Sequence, residues 1–294
     1  MLVTVFTPTY NRASTIVRTY QSLCRQKMKD FEWLVVDDGS TDETESLISS
    51  LMPIADFPIN YIKKTNGGKH TAYNKALLLA KGKLFFTVDS DDWLPDDSLI
   101  SISSISNELL SSKQLAGLIA LKTNPEGRVI GKQFPKKRYV SSLKELEASG
   151  YSGERSIVFK TEVAQRYPFP EIESEKFMGE SVVYDRIGKD FDFIIENDIL
   201  MICEYQPDGL SSHIHRTMLN NPGGYLIYYA QRIDEAISLR YQIKYVIRYN
   251  AFKYLSDKEI INKYQYKGKN LFLTRFFSPI GAIAAMIYKY KGVK

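Results

Sequence analysis

Cysteine is scarce in this chain. Only Cys24 and Cys203 occur in 294 residues, far apart and in apolar contexts, which excludes a disulfide framework and predicts buried thiols in a reducing compartment. The opening "MLVTVFTPTYNR" lacks the basic start and small-residue cleavage site of a secretory signal, so the expected location is cytoplasmic. Neither G-x-G-x-x-G nor G-x-x-x-x-G-K-[ST] is present, which removes the dinucleotide fingerprint and the P-loop as phosphate sites. No internal repeat, low-complexity tract or flexible linker interrupts the chain. The last apolar segment, "LFLTRFFSPIGAIAAMIYKYKGVK", is broken by Arg275, Pro279 and Gly281. It reads as an interfacial or packed helix rather than a membrane span.

What is present has the balance of a globular protein, 44% hydrophobic and 25% charged, at a length that buries a full α/β core in one or two domains. The net charge of +5 is unevenly spread. Residues 232–294 hold 13 Lys/Arg against 4 Asp/Glu, which leaves the rest of the chain at −4. Whatever the basic charge binds therefore belongs to the tail.

Over the first 110 residues, apolar runs at 2–6, 31–36, 59–63 and 83–88 alternate with helical patterns at 13–26, after Ser40, and at 69–80. This alternation predicts an α/β fold, a Rossmann-like and mainly parallel sheet with helices on both faces. Ser40 with Glu43 predicts a capping box at the second helix. Further on, 115–121 and 129–134 read as a strand pair around "NPEGR", 155–160 as a strand, 180–189 as a helix, and "FDFII" and "LMICEY" as two short strands. From Pro222 the pattern is helical, with 225–255 as one long segment. The expected division is a catalytic domain over 1–220, in halves 1–110 and 111–220, and a basic, tyrosine-rich helical extension over 221–294.

Each of the first four strands ends in short polar residues: "TPTYNR", "DDGSTD", "TNGGKH" and "DSDDW". In an open parallel sheet, ligands bind at the carboxyl ends of the strands. The fourth end is the most charged, with Asp89, Asp91, Asp92, Asp96 and Asp97 crowded into nine residues. A solvated loop before a helix tolerates acids, whereas a divalent cation requires clustered oxygens. Four coincident polar ends favour the cation. Thr9 and Asn11 can hydrogen-bond a ligand edge after a turn fixed by Pro8. Asp37 and Asp38 can accept from a ring N–H or ribose hydroxyls, or one of them can cap the next helix. Lys69 and His70 follow two glycines at a helix start, a place suited to a phosphate.

The stretches "VTVFTPTYNRASTIVRTYQSLCRQKMKDFEWLVVDDGSTDET" and "NGGKHTAYNKALLLAKGKLFFTVDSDDWLPDD" resemble the N-terminal half of a family 2 glycosyltransferase of the GT-A fold. The resemblance joins the P-T-Y-N-R start, the V-D-D-G-S-T-D strand end and a D-x-D motif. It implies an inverting hexosyltransferase-type enzyme that moves a sugar from a nucleotide-sugar, most often UDP-linked, to an acceptor hydroxyl, with Mn²⁺ or Mg²⁺ as cofactor. By position it assigns Pro8, Thr9, Tyr10, Arg12, Asp37, Asp38, Lys69, His70, Asp89 and Ser90 to the nucleotide-sugar and Asp89 and Asp91 to the metal. The chemistry then needs a cation against the leaving diphosphate, with help from Lys69, and a carboxylate to take the acceptor's proton.

Family members usually present Glu-Asp before a helix in the middle segment. Here "MGESVVYDRIGKD" offers Glu180 followed by Ser181. Glu180 is the expected base, since Gly179 opens the helix and Val182, Val183 and Ile187 anchor it; Asp185 is the second choice. His213 or His215, spaced i, i+2 along an extended segment, offers a third metal ligand, against the reading of ordinary surface histidines.

Arg240, Lys244 and Arg248 run beside Tyr241, Tyr245 and Tyr249. The stripe fits two readings, an anionic membrane surface or a tyrosine-rich helix pair packed internally or in a homodimer. A membrane reading agrees with a lipid-linked saccharide acceptor in surface polysaccharide assembly and with a peripheral position on the inner face of the cell membrane. No recognition motif for nucleic acid accompanies the charge. Two other functions compete. A nucleotidyltransferase would want a glycine-rich basic loop that "FTPTYNRAS" does not offer, and a non-catalytic nucleotide-sugar- or membrane-binding module would explain the absent Asp after Glu180.

Overall fold

β1 (Val3–Thr9) and β2 (Phe31–Asp37) are buried along their whole length, which accounts for their unbroken apolar runs, since a strand covered on both faces has no solvent side to alternate with. In the computed structural model, which describes residues 1–151, 154–204 and 214–293, they join β3 (Ile59–Lys63), β4 (Leu84–Thr87), β5 (Leu115–Thr123), β6 (Arg138–Ser141), β7 (Ser156–Lys160) and β8 (Asp192–Ile202). The eight form one sheet ordered β3-β2-β1-β4-β7-β5-β8-β6. Pairs β1·β2, β1·β4, β2·β3 and β5·β8 are parallel; β4·β7, β5·β7 and β6·β8 are antiparallel. The parallel stretch β3-β2-β1-β4 is the part that alternates with helices α1 (Ala13–Cys24), α2 (Thr44–Leu51) and α3 (Lys69–Leu79), and α4 (Ser98–Ser111) follows it. Val3, Val5, Phe31, Trp33 and Val35 pack with Ile16, Tyr20 and Leu23 of α1. At alternate positions Phe6 stacks on Phe85 at 5.4 Å and both meet Tyr73 of α3. Strand alternation thus sends α1 and α3 to opposite faces.

The chain divides into two units, Met1–Pro168 with Arg186–Gln206, and Phe169–Asp185 with Pro207–Lys294. The first holds the whole sheet, α5 (Leu143–Ala148) and α6 (Thr161–Ala164); α7 (Ser181–Asp190) crosses the division. The second holds α8 (Ile214–Asn220), α9 (Pro222–Arg232), α10 (Leu239–Leu255), α11 (Lys258–Tyr264), α12 (Leu271–Phe276) and α13 (Ser278–Val293). No helix among the described residues is long and apolar enough to cross a membrane.

Several local expectations are corrected. Pro8 lies within β1, paired with Val36, rather than in a turn. Phe6 directs its carbonyl to the β4 side, where it accepts from Val88 N–H. By alternation Pro8 faces the same way, past the last paired residue Thr87, so its missing N–H forgoes no ladder bond. Helix α2 starts at Thr44 with no side-chain cap. The Ser40 hydroxyl accepts instead from Asn11 N–H at 2.8 Å, and Asp42 turns the chain by accepting from Thr44 N–H at 3.1 Å. "NPEGR" does form a turn, closed by Gly127 N–H to Asn124 C=O, and Val129 bridges back to Thr123, but residues 130–134 form no strand and the strand neighbours of β5 are β7 and β8. The two short strands at 191–205 are one, β8, irregular where it pairs with β5. Cys24 is exposed and only Cys203 is buried. The long helix over 225–255 is two, α9 and α10, because Ser238 takes an extended conformation and caps α10 by accepting from Tyr241 N–H.

The core of the second unit is aromatic. Phe252 stacks on Tyr225 at 4.9 Å and Tyr229 at 5.6 Å, and Tyr288 of α13 lies 5.3 Å away. Tyr245 and Tyr249 are buried, and Arg248 donates to Tyr229 Oη at 3.0 Å. Most of the tyrosines of the expected basic stripe therefore face inward. Glu175, 4% exposed, closes the start of α9 by accepting from Gly223 N–H at 2.6 Å and Gly224 N–H at 2.8 Å. Burial pushes this carboxyl up, against the pull of those two bonds. Glu175→Ala strands two buried donors and is expected to destabilise the second unit by about 1–3 kcal/mol. The urea midpoint reads the loss; an unchanged midpoint would mean that water replaces the cap.

Candidate active site at the strand ends

The loop after β1 is laced to the loop after β2. Asn11, at φ 52° in the left-handed region that Asn tolerates, accepts at Oδ1 from Thr41 N–H at 2.8 Å. Arg12 N–H donates to Thr44 Oγ1 and Ala13 N–H to Asp42. Asn11 therefore serves the loop rather than standing open for a ligand edge. Tyr10 is about half exposed and Pro8 stays in the strand. Thr9 is the informative residue. Its hydroxyl is buried and finds no hydrogen-bond partner among the described residues, a cost unless a ligand supplies one.

Asp37 and Asp38 are both buried. Asp37 accepts from Ser40 N–H at 2.7 Å and from the Tyr61 hydroxyl, and burial with that bond pushes the Tyr61 phenol well up. Asp38 accepts from Gly67 N–H at 2.9 Å, Gly68 N–H at 2.6 Å and Lys64 Nζ at 2.7 Å. It thereby pins the β3–α3 loop, whose Gly68 sits at φ 95°, a conformation that only glycine takes readily. Each carboxylate has about four acceptor sites, so both retain capacity beyond their protein partners. His70 is buried on the inner side of α3 at 2% exposure, while Lys69 reaches the acidic cluster.

The five aspartates separate into two groups. Asp96 and Asp97 are surface ion pairs with Arg25 at 3.0 Å and Lys27 at 2.7 Å. After β4, Ser90 and Asp92 are buried and Asp89 and Asp91 are half-buried. Asp92 N–H bonds Asp89 C=O in this turn, Thr19 Oγ1 donates to Asp92 C=O at 2.7 Å, and Trp93 exchanges backbone bonds with Ile202 of β8. Lys69 Nζ bonds both carboxylate oxygens of Asp89, at 2.7 and 2.9 Å. Burial would raise the Asp89 carboxyl, but Lys69 and Lys122 outweigh it and hold it below its ordinary value. Asp91 is pushed up, first by burial and then by the Asp89 charge. Asp92, which accepts from the Cys203 thiol at 3.0 Å, is pushed up to about 7 by burial and then by Asp89. Asp91 and Asp92 are thus both pushed up beside Asp89, and hard oxygen donors crowded in this way suit a divalent cation. No group of three His, Cys, Asp or Glu able to hold a metal occurs among the described residues.

Glu180 belongs to the second unit and is exposed. Its carbonyl accepts from Val183 and Tyr184 N–H at the start of α7, and Val182, Val183 and Ile187 are buried, as the anchoring argument expects. Asp185 is held bidentately by Arg232, at 2.5 and 2.8 Å. His215 lies in helix α8 rather than an extended segment, and His213 lies outside the described residues. Three contributors escaped the sequence reading. Lys64 braces Asp38 across 26 residues, with no local signal. Arg18 pairs with Glu204, lies 4.7 Å over Trp93 and donates to Asp91 C=O at 3.4 Å, bracing the acidic turn. Lys122 was legible as a lone charge closing the buried run "LAGLIAL".

Residues 4–102 match the family model "Glycosyl transferase family 2". The chondroitin synthase of Pasteurella multocida (strain Pm70) is 34% identical over 136 residues, 45% of this chain. The chain spans only 14% of that relative's length. The Campylobacter jejuni protein "GalNAc(5)-diNAcBac-PP-undecaprenol beta-1,3-glucosyltransferase" is 28% identical over 234 residues, covering 76% of this chain and 72% of its own length. Among solved structures, S. aureus TarS 1–349 in complex with UDP-GlcNAc superposes with a TM-score of 0.62 at 17% identity, over 99% of this chain and 92% of that one. The mannosyltransferase from Pyrobaculum calidifontis in complex with GDP-Man and Mn²⁺ gives 0.57 at 18% identity, over 99% and 86%. These likenesses show the GT-A fold expected from the sequence.

Proposed function

We propose, on the match of residues 4–102 to the model "Glycosyl transferase family 2", that this chain is a member of that family and moves a sugar from a nucleotide-sugar, UDP-linked, to an acceptor hydroxyl with inversion at the anomeric carbon. One observation carries the reading: the crowded pair Asp89 and Asp91 follows β4 beside Lys69, in the same sheet whose β1 ends in the unpartnered hydroxyl of Thr9. The UDP-GlcNAc bound to TarS supports the donor class. The lipid-linked saccharide named for the Campylobacter relative supports an acceptor of that kind. In this reading Thr9, Asp37 and Asp38 receive the nucleoside, with Pro8, Tyr10, Arg12 and His70 shaping the surround, and Lys69 and Ser90 meet the diphosphate.

Asp89 and Asp91 would hold Mn²⁺ or Mg²⁺, whose contribution is to neutralise the charge that grows on the departing diphosphate. Mn²⁺ accompanies the donor in the Pyrobaculum enzyme. Lys69 adds a fixed positive charge on the same side. On its place in the sequence, directly before α7, Glu180 is assigned the acceptor's proton. Thermal-shift and hydrolysis screens over UDP- and GDP-sugars, each with and without Mn²⁺, test the reading. Stabilisation by one donor, dependent on the metal, is expected. Silence across all of them would reject it.

Asp38→Ala removes the acceptor that three donors of the β3–α3 loop share. It is expected to weaken UDP binding by about 1–3 kcal/mol and to lower the melting temperature with it. An unchanged Kd by calorimetry would move the nucleotide elsewhere.

A further inference from the structure

Helix α13 is built inside out. Its inner side, against α10, carries Gly281, Ala285 and Tyr288. The approach at Gly281 is so close that a Cβ there would lie 2.3 Å from Asn250 Cβ. Its larger apolar side chains point the other way: Ile280, Ile283, Met286, Ile287 and Tyr290 are 47–68% exposed. At 100° per residue these five share one face. The preceding α12 adds Phe272 at 75% and Phe276 at 65% exposure, their rings stacked at 6.1 Å. A helix that completes its burial within its own fold turns its large residues inward, and an exposed apolar face of this length marks an interaction surface.

The charge around the face selects the partner. Residues 260–293 contain six Lys/Arg and no Asp or Glu. Lys263, Lys267, Lys269, Arg275, Lys289 and Lys291 are all exposed. By helical position Lys289 and Lys291 fall on opposite flanks of the apolar stripe, where long stems can lie along it with their ammonium groups outward. An apolar band whose own segment carries only positive charge matches acyl chains beneath anionic headgroups. A second copy would bring the same positive rim against itself. We propose that α12 and α13 dock the protein on an anionic lipid bilayer, lying in the interface rather than spanning it.

The test needs no sugar donor, so it stands or falls apart from the transfer reaction. The full chain is floated with vesicles of equal parts phosphatidylcholine and phosphatidylglycerol, and with vesicles of phosphatidylcholine alone. Binding is expected to the mixed vesicles, weaker by at least about tenfold on the neutral ones and reduced by salt. Ile283→Ser with Met286→Ser and Ile287→Ser is expected to abolish flotation at unchanged melting temperature, since all three side chains are exposed. Lys289→Gln with Lys291→Gln should remove most of the preference for the anionic lipid. Absence of flotation by the native chain overturns the proposal. So does a concentration-dependent dimer that the serine variant dissociates while vesicle binding is absent or unaffected.

Discussion

Asp91→Ala is expected to abolish sugar transfer and the Mn²⁺-dependent part of UDP binding while leaving the fold intact. The nucleoside diphosphate is a poor leaving group until its developing charge is met, and a cation held by carboxylates supplies several kcal/mol of that stabilisation. Losing about 4 kcal/mol lowers the rate roughly a thousandfold. Wild-type enzyme in excess chelator should behave like the variant, and full activity there would sink the metal reading. Without metal, the melting temperature should not fall. Asp91 lies beside the like charge of Asp89 and is pushed up by burial and by that charge, which outweigh its own backbone hydrogen bond, so its removal relieves net repulsion. Asp96→Ala is the control. Its partner is Arg25 at the surface, where an exposed pair contributes little, and activity should be unchanged.

That contrast also shows what the sequence could and could not reveal. "DSDDWLPDD" exposes the crowding of acids, but not that the first three aspartates are buried or half-buried while the last two pair at the surface with Arg25 and Lys27, just past α1. Strand identity was legible wherever burial on both faces made a continuous apolar run, as in β1 and β2. It failed for residues 130–134, because β5 takes β7 and β8 as its neighbours instead, and it missed "RYVS" of β6, an edge strand whose polar residues carry no such run. The start of α2 was misplaced for a related reason. Ser40 has the right chemistry for a cap, but its hydroxyl is taken by Asn11 N–H from another loop, a contact 29 residues away. The protein partners of Asp37 and Asp38 are equally non-local: Tyr61, Lys64, Gly67 and Gly68 meet them only once β3 has paired with β2. The tyrosine stripe left two readings open, surface or internal packing, because its spacing is helical. Spacing defines a face without saying which way it points, and Tyr245 and Tyr249 point into the aromatic core around Phe252.

Glu180→Gln keeps the size and most of the hydrogen bonding of the side chain but cannot take a proton, so kcat should fall by about 10²–10⁴-fold, the usual contribution of a general base. Donor binding should survive, because the base acts on the acceptor. A UDP Kd equal to that of the wild type therefore separates this loss from that of Asp91→Ala. The second choice, Asp185 within α7, is a weaker candidate on physical grounds. Its two oxygens are both engaged by Arg232 in a fork, and breaking a partly buried pair costs stability first. Asp185→Asn should accordingly lower the melting temperature more than Glu180→Gln does, with any loss of kcat following the loss of folded protein. Near-normal kcat in Glu180→Gln, with a stably folded but inactive Asp185→Asn, would transfer the role to Asp185. Activity in both would place the base outside α7.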